Sequence, residues 1–298
     1  MTQKALWLSL VVIVTVGLLA ILPSPNFSAK GTAGSQKQTT FTRVMNSGTL
    51  RCGYAVWHPV LYKDMQTGEI KGIAHDIIET AAHNLGLRVQ WTEEAGWDSI
   101  VEGLSTGRYD AICTTIGPLA SRARAIDFST PLFYTPVYMI GRADETRFHT
   151  FEDFNDPAYT VSALDGEGFS ILISKKFPKV AIRSLPQMTA WASIFQDIVA
   201  GKADAAGVDY ATFESYNKKN PGKIKILIDK PIQVFSVAFG VPQGEIVFKH
   251  MLDVALDDLL LDGTVDRVLR KYTPSPLTFL RRAEPYVLPD SSIKVSAP

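Results

Sequence analysis

The sequence predicts two α/β units of similar size, joined by two crossings of the chain and separated by a cleft. Three observations carry that prediction. Short apolar, strand-like runs alternate with amphipathic runs over residues 49–114, and again over residues 159–228. Two long β-rich segments, 132–141 and 232–241, lie one on each side of the second unit. Two helical stretches, 243–261 and 265–271, follow the second crossing and complete the first unit, which is therefore discontinuous. A double crossing forms a hinge between two lobes.

The elements follow in order. Residues 49–54 read as a strand, 54–64 as a loop carrying Trp57, His58 and Pro59, and 70–73 as a short extended piece. Asp76 opens a helix in which Ile77, Ile78, Ala81, Ala82 and Leu85 recur at spacings of three and four, with Gly86 as its stop. Then come a strand at 89–92, a helix at 97–104 ending towards Gly107, and a strand at 111–114. In the second unit, strands at 159–163, 180–184, 205–208 and 224–228 alternate with helices at 169–176, 190–200 and 210–217. Lobe 1 is thus expected at 42–135 plus 236–275 and lobe 2 at 136–235. Residues 276–298 form a proline-punctuated C-terminal extension, expected to dock on the first lobe through Phe279, Leu280 and Tyr286.

At 298 residues, with 46% hydrophobic and 20% charged side chains, the composition is that of an ordinary globular chain. Thirty basic residues balance thirty acidic ones, so no global charge points to nucleic acid or to an anionic membrane surface. The N-terminus is more specific. Lys4 precedes an apolar run at 5–22, followed by Pro23, Pro25 and a polar segment. Such a run spans about 27 Å as a helix, against a bilayer core of about 30 Å. Residues 1–38 therefore read as a signal peptide, with Gly31-x-Ala33 the best cleavage site, or as an uncleaved membrane anchor. Either one exports the rest of the chain. Cys52 and Cys113 fall in two predicted strands. A disulfide and a pair of buried small hydrophobes are both open at this point. Neither cysteine has a histidine at ligand spacing, and the chain carries no P-loop or HExxH motif, so neither metal nor cofactor is expected.

In open α/β sheets, ligands bind beyond the carboxyl ends of the strands. That rule selects residues 54–59, 114–117 and 164–170, together with Asp209. Arg122 follows the second of these segments. Its planar guanidinium donates two parallel hydrogen bonds to a carboxylate, which lysine cannot do.

Four segments carry a resemblance. They are Gly48-Thr49-Leu50-Arg51-Cys52-Gly53-Tyr54; Gly68-Glu69-Ile70-Lys71-Gly72-Ile73-Ala74-His75-Asp76; Trp97-Asp98 leading through Gly107-Arg108-Tyr109-Asp110-Ala111 to Arg122 and Asp127-Phe128-Ser129; and Gly201-Lys202-Ala203-Asp204-Ala205 leading to Asp209. In this order the chain resembles the bacterial extracellular solute-binding proteins of the polar amino-acid class, the receptors of ABC importers. The resemblance implies a periplasmic-binding-protein type II fold with a double-crossover hinge. It also implies a monomer that captures an amino acid or similar small carboxylate outside the cytoplasm and hands it to a membrane permease. Arg122 would hold the α-carboxylate and Asp209 the α-ammonium, with helix capping as the plainer role for Asp209. Trp57 and Trp97 would sandwich the side chain, and Thr115 and Gly117 would add hydrogen bonds. The loop from Gly166 through Glu167 to Gly168 would present N–H groups at a helix N-terminus. Asp110, Asp127 and Phe128 read as structural.

The chain departs from the family pattern in three places. Leu119-Ala120-Ser121 replaces the usual residues before the arginine, and Gly166-Glu167-Gly168 replaces a hydroxyl-bearing loop. Ala74 stands where basic-amino-acid receptors carry an aspartate, which argues against lysine or arginine as ligand. Glu167 supplies a charge for a cationic group, or a partner for His58 or His75. Two alternatives stay open. One is a cyclohexadienyl- or arogenate-dehydratase-like enzyme on the same fold, with Glu167, Glu214 and Glu94 as candidate acids. The other is a membrane-anchored sensory binding module.

Overall fold

The computed structural model describes residues 38–273 and 278–281. The apolar run, the candidate cleavage site and Tyr286 lie outside the described residues. No described helix is long and apolar enough to cross a membrane.

The described chain opens with α1 (Thr40–Ser47), capped by the Thr39 hydroxyl, which accepts from the Thr42 N–H. β1 (Thr49–Tyr54) follows, then a small hairpin of β2 (Tyr62–Lys63) and β3 (Ile70–Lys71). Next come α2 (Ile73–Asn84), β4 (Arg88–Glu94), α3 (Ile100–Ser105) and β5 (Ala111–Ile116). β1 pairs in parallel with both β4 and β5, as the βαβαβ pattern requires. α2 begins three residues before Asp76, which sits in its first turn, where a carboxylate favours the helix dipole.

The next stretch holds β6 (Ile126–Phe128) and the long β7 (Phe133–Arg142). Then come β8 (Thr160–Leu164), α4 (Gly168–Lys176), β9 (Ala181–Leu185), α5 (Ala192–Val199), β10 (Ala205–Asp209), α6 (Tyr210–Lys219) and β11 (Ile224–Ile226). The return strand β12 (Gln233–Pro242) leads into α7 (Ile246–Leu261) and α8 (Thr264–Tyr272), and β13 (Leu280–Arg281) ends the described chain.

One mixed sheet threads these strands in the order β4-β1-β5-β12-β7-β10-β8-β9. Its middle is the double crossing. β7 and β12 pair antiparallel from Phe133↔Val237 to Val137↔Gln233. Past Val237, β12 continues onto β5 and β6, while past Val137, β7 continues onto β10 and β11. Each crossing strand therefore serves the crossing with one end and one half of the sheet with the other. The fold is a two-lobe α/β architecture with the hinge in these two strands.

Cys52 and Cys113 form a disulfide, with a Cα–Cα distance of 5.4 Å. Adjacent strands β1 and β5 bring them together, and both are fully buried. Asp110 is structural: it accepts from the Arg51 backbone N–H and guanidinium and pairs with Arg43, tying α1 and β1 to the turn before β5. Asp127 accepts from the Gly244 N–H beside α7. The C-terminal segment docks through Phe279 and Leu280, as expected. Leu280 and Arg281 pair with Tyr134 and Phe133, so the segment adds a strand to the crossing itself. Phe279 is buried there, 4.9 Å from the ring of Phe133 and 6.2 Å from that of Trp57. Arg281 forms an ion pair with Asp266 of α8.

Candidate ligand-binding site

The carboxyl ends of β1, β5 and β8 converge on a cavity of about 30 Å³. Trp57 enters from the loop after β1, and Trp97 from the turn before α3. Thr115, Gly117, Leu119 and Arg122 come from the end of β5 and the loop beyond it. Glu167, Gly168 and Phe169 come from the junction of β8 with α4, and Trp191 from the start of α5. The crossing strands close it with Thr135, Phe235 and Val237. Seven of the eight residues expected at a ligand thus line one cavity, and Asp209 does not.

Arg122 is held by a local turn in which its N–H donates to the Leu119 carbonyl. Its side chain is 7% exposed. Nη1 donates to the Gly117 carbonyl and Nη2 to the Gly166 carbonyl, both at 3.3 Å. Its recorded partners are neutral carbonyls, so a buried guanidinium faces the cavity with donors to spare. Burial lowers its pKa, partly offset by the nearby Glu167, and a guanidinium remains charged under such a shift. The Gly166 carbonyl is in position because Gly166 has φ 70, a left-handed conformation. A Cβ there would also lie 2.6 Å from Cβ of Asp98, so no larger residue fits.

Glu167 is the N-cap of α4. Its Oε2 accepts from the N–H groups of Phe169 at 2.7 Å and Ser170 at 3.3 Å, rather than from His58 or His75. The helix N-terminus expected to greet an external anion thus already holds the chain's own carboxyl. Burial pushes that carboxyl up to about 8, against the pull of its backbone bonds and of the Arg122 charge.

Asp209 is fully buried at the N-cap of α6. Oδ1 accepts from the Thr212 N–H at 3.0 Å, and Oδ2 from the Thr212 hydroxyl at 2.7 Å and from Trp57 Nε1 at 3.1 Å. Burial raises its pKa in spite of these bonds. The Trp57 ring stands edge-on to Trp97, Phe169 and Phe279 at 6.5, 6.4 and 6.2 Å.

Three polar atoms of the lining are buried without a hydrogen-bond partner: Thr115 Oγ1, Thr135 Oγ1 and Trp191 Nε1. An unpaired buried donor or acceptor costs about 1–3 kcal/mol, so these three groups call for a partner inside the cavity, a water molecule or a ligand. Thr135, Trp191 and Phe235 are absent from the residues expected on sequence. Trp191 had a signal: it precedes the second helix of its unit, as Trp97 does in the first. A cation, hydroxyl groups and aromatic walls together suit a small carboxylate with an apolar or planar body.

Residues 50–275 match the model of the bacterial extracellular solute-binding proteins, family 3. A probable amino-acid ABC transporter-binding protein of Haemophilus influenzae is 26% identical over 76% of this chain and 85% of its own length. A probable amino-acid-binding protein of Bacillus subtilis is 24% identical over 90% of this chain and 96% of its own. Among solved structures, an ancestral amino-acid-binding protein, described as a precursor of cyclohexadienyl dehydratase, superposes with a TM-score of 0.69 at 25% identity. It covers 78% of this chain and 99% of its own.

Proposed function

The chain belongs to the bacterial extracellular solute-binding proteins, family 3, and from that premise we propose that it captures an amino acid or similar small carboxylate for an ABC importer. The single observation that carries the reading is Arg122, a buried guanidinium bonded to neutral carbonyls from two sides of one cavity, Gly117 and Gly166. A ligand carboxylate takes the fork of Arg122. Trp57 and Trp97 flank the ligand body, and Thr115, Gly117, Glu167 and Gly168 complete its surroundings. The ligand closes the lobes because it gains contacts from both at once, the condition for shifting a two-state equilibrium. The lobes are 42–135 with 236–275, and 136–235. The chain works outside the cytoplasm and delivers its cargo to a membrane permease.

The test is a thermal-shift screen with the common amino acids and small carboxylates. A ligand present at a thousandfold excess over its Kd stabilises the fold by about 4 kcal/mol, which such a screen resolves. A panel that leaves the melting temperature unmoved sinks the reading.

One observation favours a second reading, a dehydratase. Glu167 is the acid among the lining residues, and burial keeps a proton on it near neutral pH. Glu214 and Glu94, the other candidate acids, pair with Lys218 and Lys63 instead. Incubation with prephenate and with arogenate decides the matter, and product formation would move the assignment to the enzyme.

A further inference from the structure

We propose that Glu167, rather than Asp209, receives the ammonium group of an amino-acid ligand, and that Asp209 is a positioning residue that holds Trp57. This inference rests on the reading of the cavity as an amino-acid site.

An ammonium group brings three N–H donors and needs acceptor oxygens within the cavity. Asp209 is not among the residues that line it. Its two oxygens already accept three hydrogen bonds, and one of these comes from the indole that lines the cavity. A ligand bonded to Asp209 would compete with the Trp57 indole, whose ring is packed against Trp97, Phe169 and Phe279.

Glu167 meets the requirement. It lines the cavity, and its recorded bonds fall on Oε2 alone. A carboxylate has about four acceptor positions, so capacity is left after the helix cap is made. It also sits beside the cation. Arg122 donates to the carbonyl of Gly166, and a Cβ on Gly168 would lie 3.7 Å from Arg122 Nη1, so the guanidinium stands close to the chain on both sides of Glu167. A zwitterion between Arg122 and Glu167 therefore needs only a short span. The unpartnered groups sort themselves accordingly. Trp191 Nε1 is a donor only and requires an acceptor, which the ligand carboxylate provides. The Thr115 and Thr135 hydroxyls can donate or accept, and serve either end.

The assignment has a protonic consequence. The charged groups acting on Glu167 are Arg122, from the loop after β5, and Asp209, at the end of β10. Burial favours the protonated form of Glu167. An arriving ammonium favours the ionised form, so binding at pH 7 expels that proton to the buffer.

The experiment is calorimetric titration of the full chain. The probes are the common L-amino acids other than proline, each paired with the 2-hydroxy acid of the same side chain. Wild type, Glu167→Gln and Asp209→Asn are compared. Wild type is expected to prefer the amino acid of the tightest pair. Glu167→Gln, whose amide oxygen can still cap α4, is expected to lose that amino acid about thirtyfold or more while holding the 2-hydroxy acid within about threefold. Asp209→Asn is expected to weaken both members of the pair alike. Titration of wild type in buffers of different ionisation enthalpy is expected to show close to one proton released with the amino acid. That reading does not depend on any variant folding.

Retained amino-acid affinity in Glu167→Gln, or loss of the amine preference in Asp209→Asn alone, overturns the assignment. Binding of 2-hydroxy acids without any amino acid overturns it too, but leaves carboxylate capture standing. Binding of neither class overturns both.

Discussion

The indole Nε1 of Trp57 donates to Oδ2 of Asp209 across 3.1 Å, joining residues 152 positions apart in the chain. The bond ties the loop after β1 to the N-terminus of α6 and aims an aromatic wall at the cavity. Trp57→Phe keeps most of the ring but removes the donor. The buried Asp209 carboxylate then keeps only its Thr212 bonds, at an expected cost of about 1–3 kcal/mol. Urea denaturation measures it, and a variant as stable as the parent would show the bond to be idle.

Arg122 is expected to separate binding from stability. Without ligand, its buried charge rests on neutral carbonyls, and replacing such a charge with an apolar chain of similar length is often neutral or stabilising. Arg122→Met should therefore melt at or above the wild-type temperature while losing any carboxylate ligand by roughly a hundredfold or more. Arg122→Lys keeps the charge but not the fork, and should fall between the two. A Met variant that binds with wild-type affinity in calorimetry removes Arg122 from the site.

Glu167 makes stability depend on pH with a definite sign. Its ordinary value is 4.5 and burial lifts it to about 8. Between those values the folded chain holds a proton that the unfolded chain has released. Stability therefore falls as pH rises through this window, and the whole penalty is present above it. Asp209 is raised by burial and acts with the same sign. Glu145, held at about 2 chiefly by Arg147, acts only below the window. The expected loss from pH 5 to pH 8 is on the order of a few kcal/mol, and Glu167→Gln should flatten most of it. Parallel pH profiles for the two proteins would contradict the assignment.

Phe279 reaches the site from beyond the matched residues, which end at 275. Removing its ring leaves a gap against Phe133 and Trp57. Phe279→Ala should cost about 3 kcal/mol, and deletion of residues 274–298 at least as much. Both should also weaken ligand binding, because Trp57 loses a neighbour. An unchanged melting temperature after the deletion would exclude the docking.

The fold was readable because its signals are local. Periodicity located most of the strands and helices to within a few residues, though not α1 or β6, and the two β-rich segments stood out by length alone. The site was less readable. Glu167 is not among the residues that favour an N-cap, so its role in α4 had no clear sequence mark. The burial of Asp209 behind Trp57 depends on a contact between distant loops. Thr135 and Phe235 face the cavity through the pairing of β7 with β12, and that register exists only once the chain has crossed twice. Cys52 and Cys113 could be placed in strands, but whether those strands were neighbours was a matter of tertiary structure.

The path of β12 also bears on the order in which the molecule can be made. β5 is flanked by β1 on one side and by β12 on the other. During synthesis from the N-terminus, β1, β4 and β5 emerge long before residue 233, and until then one edge of β5 has no partner. The bond between Cys52 and Cys113 needs nothing beyond residue 113. Once the thiols meet an oxidising compartment it can join β1 to β5, leaving the other edge of β5 to the returning strand.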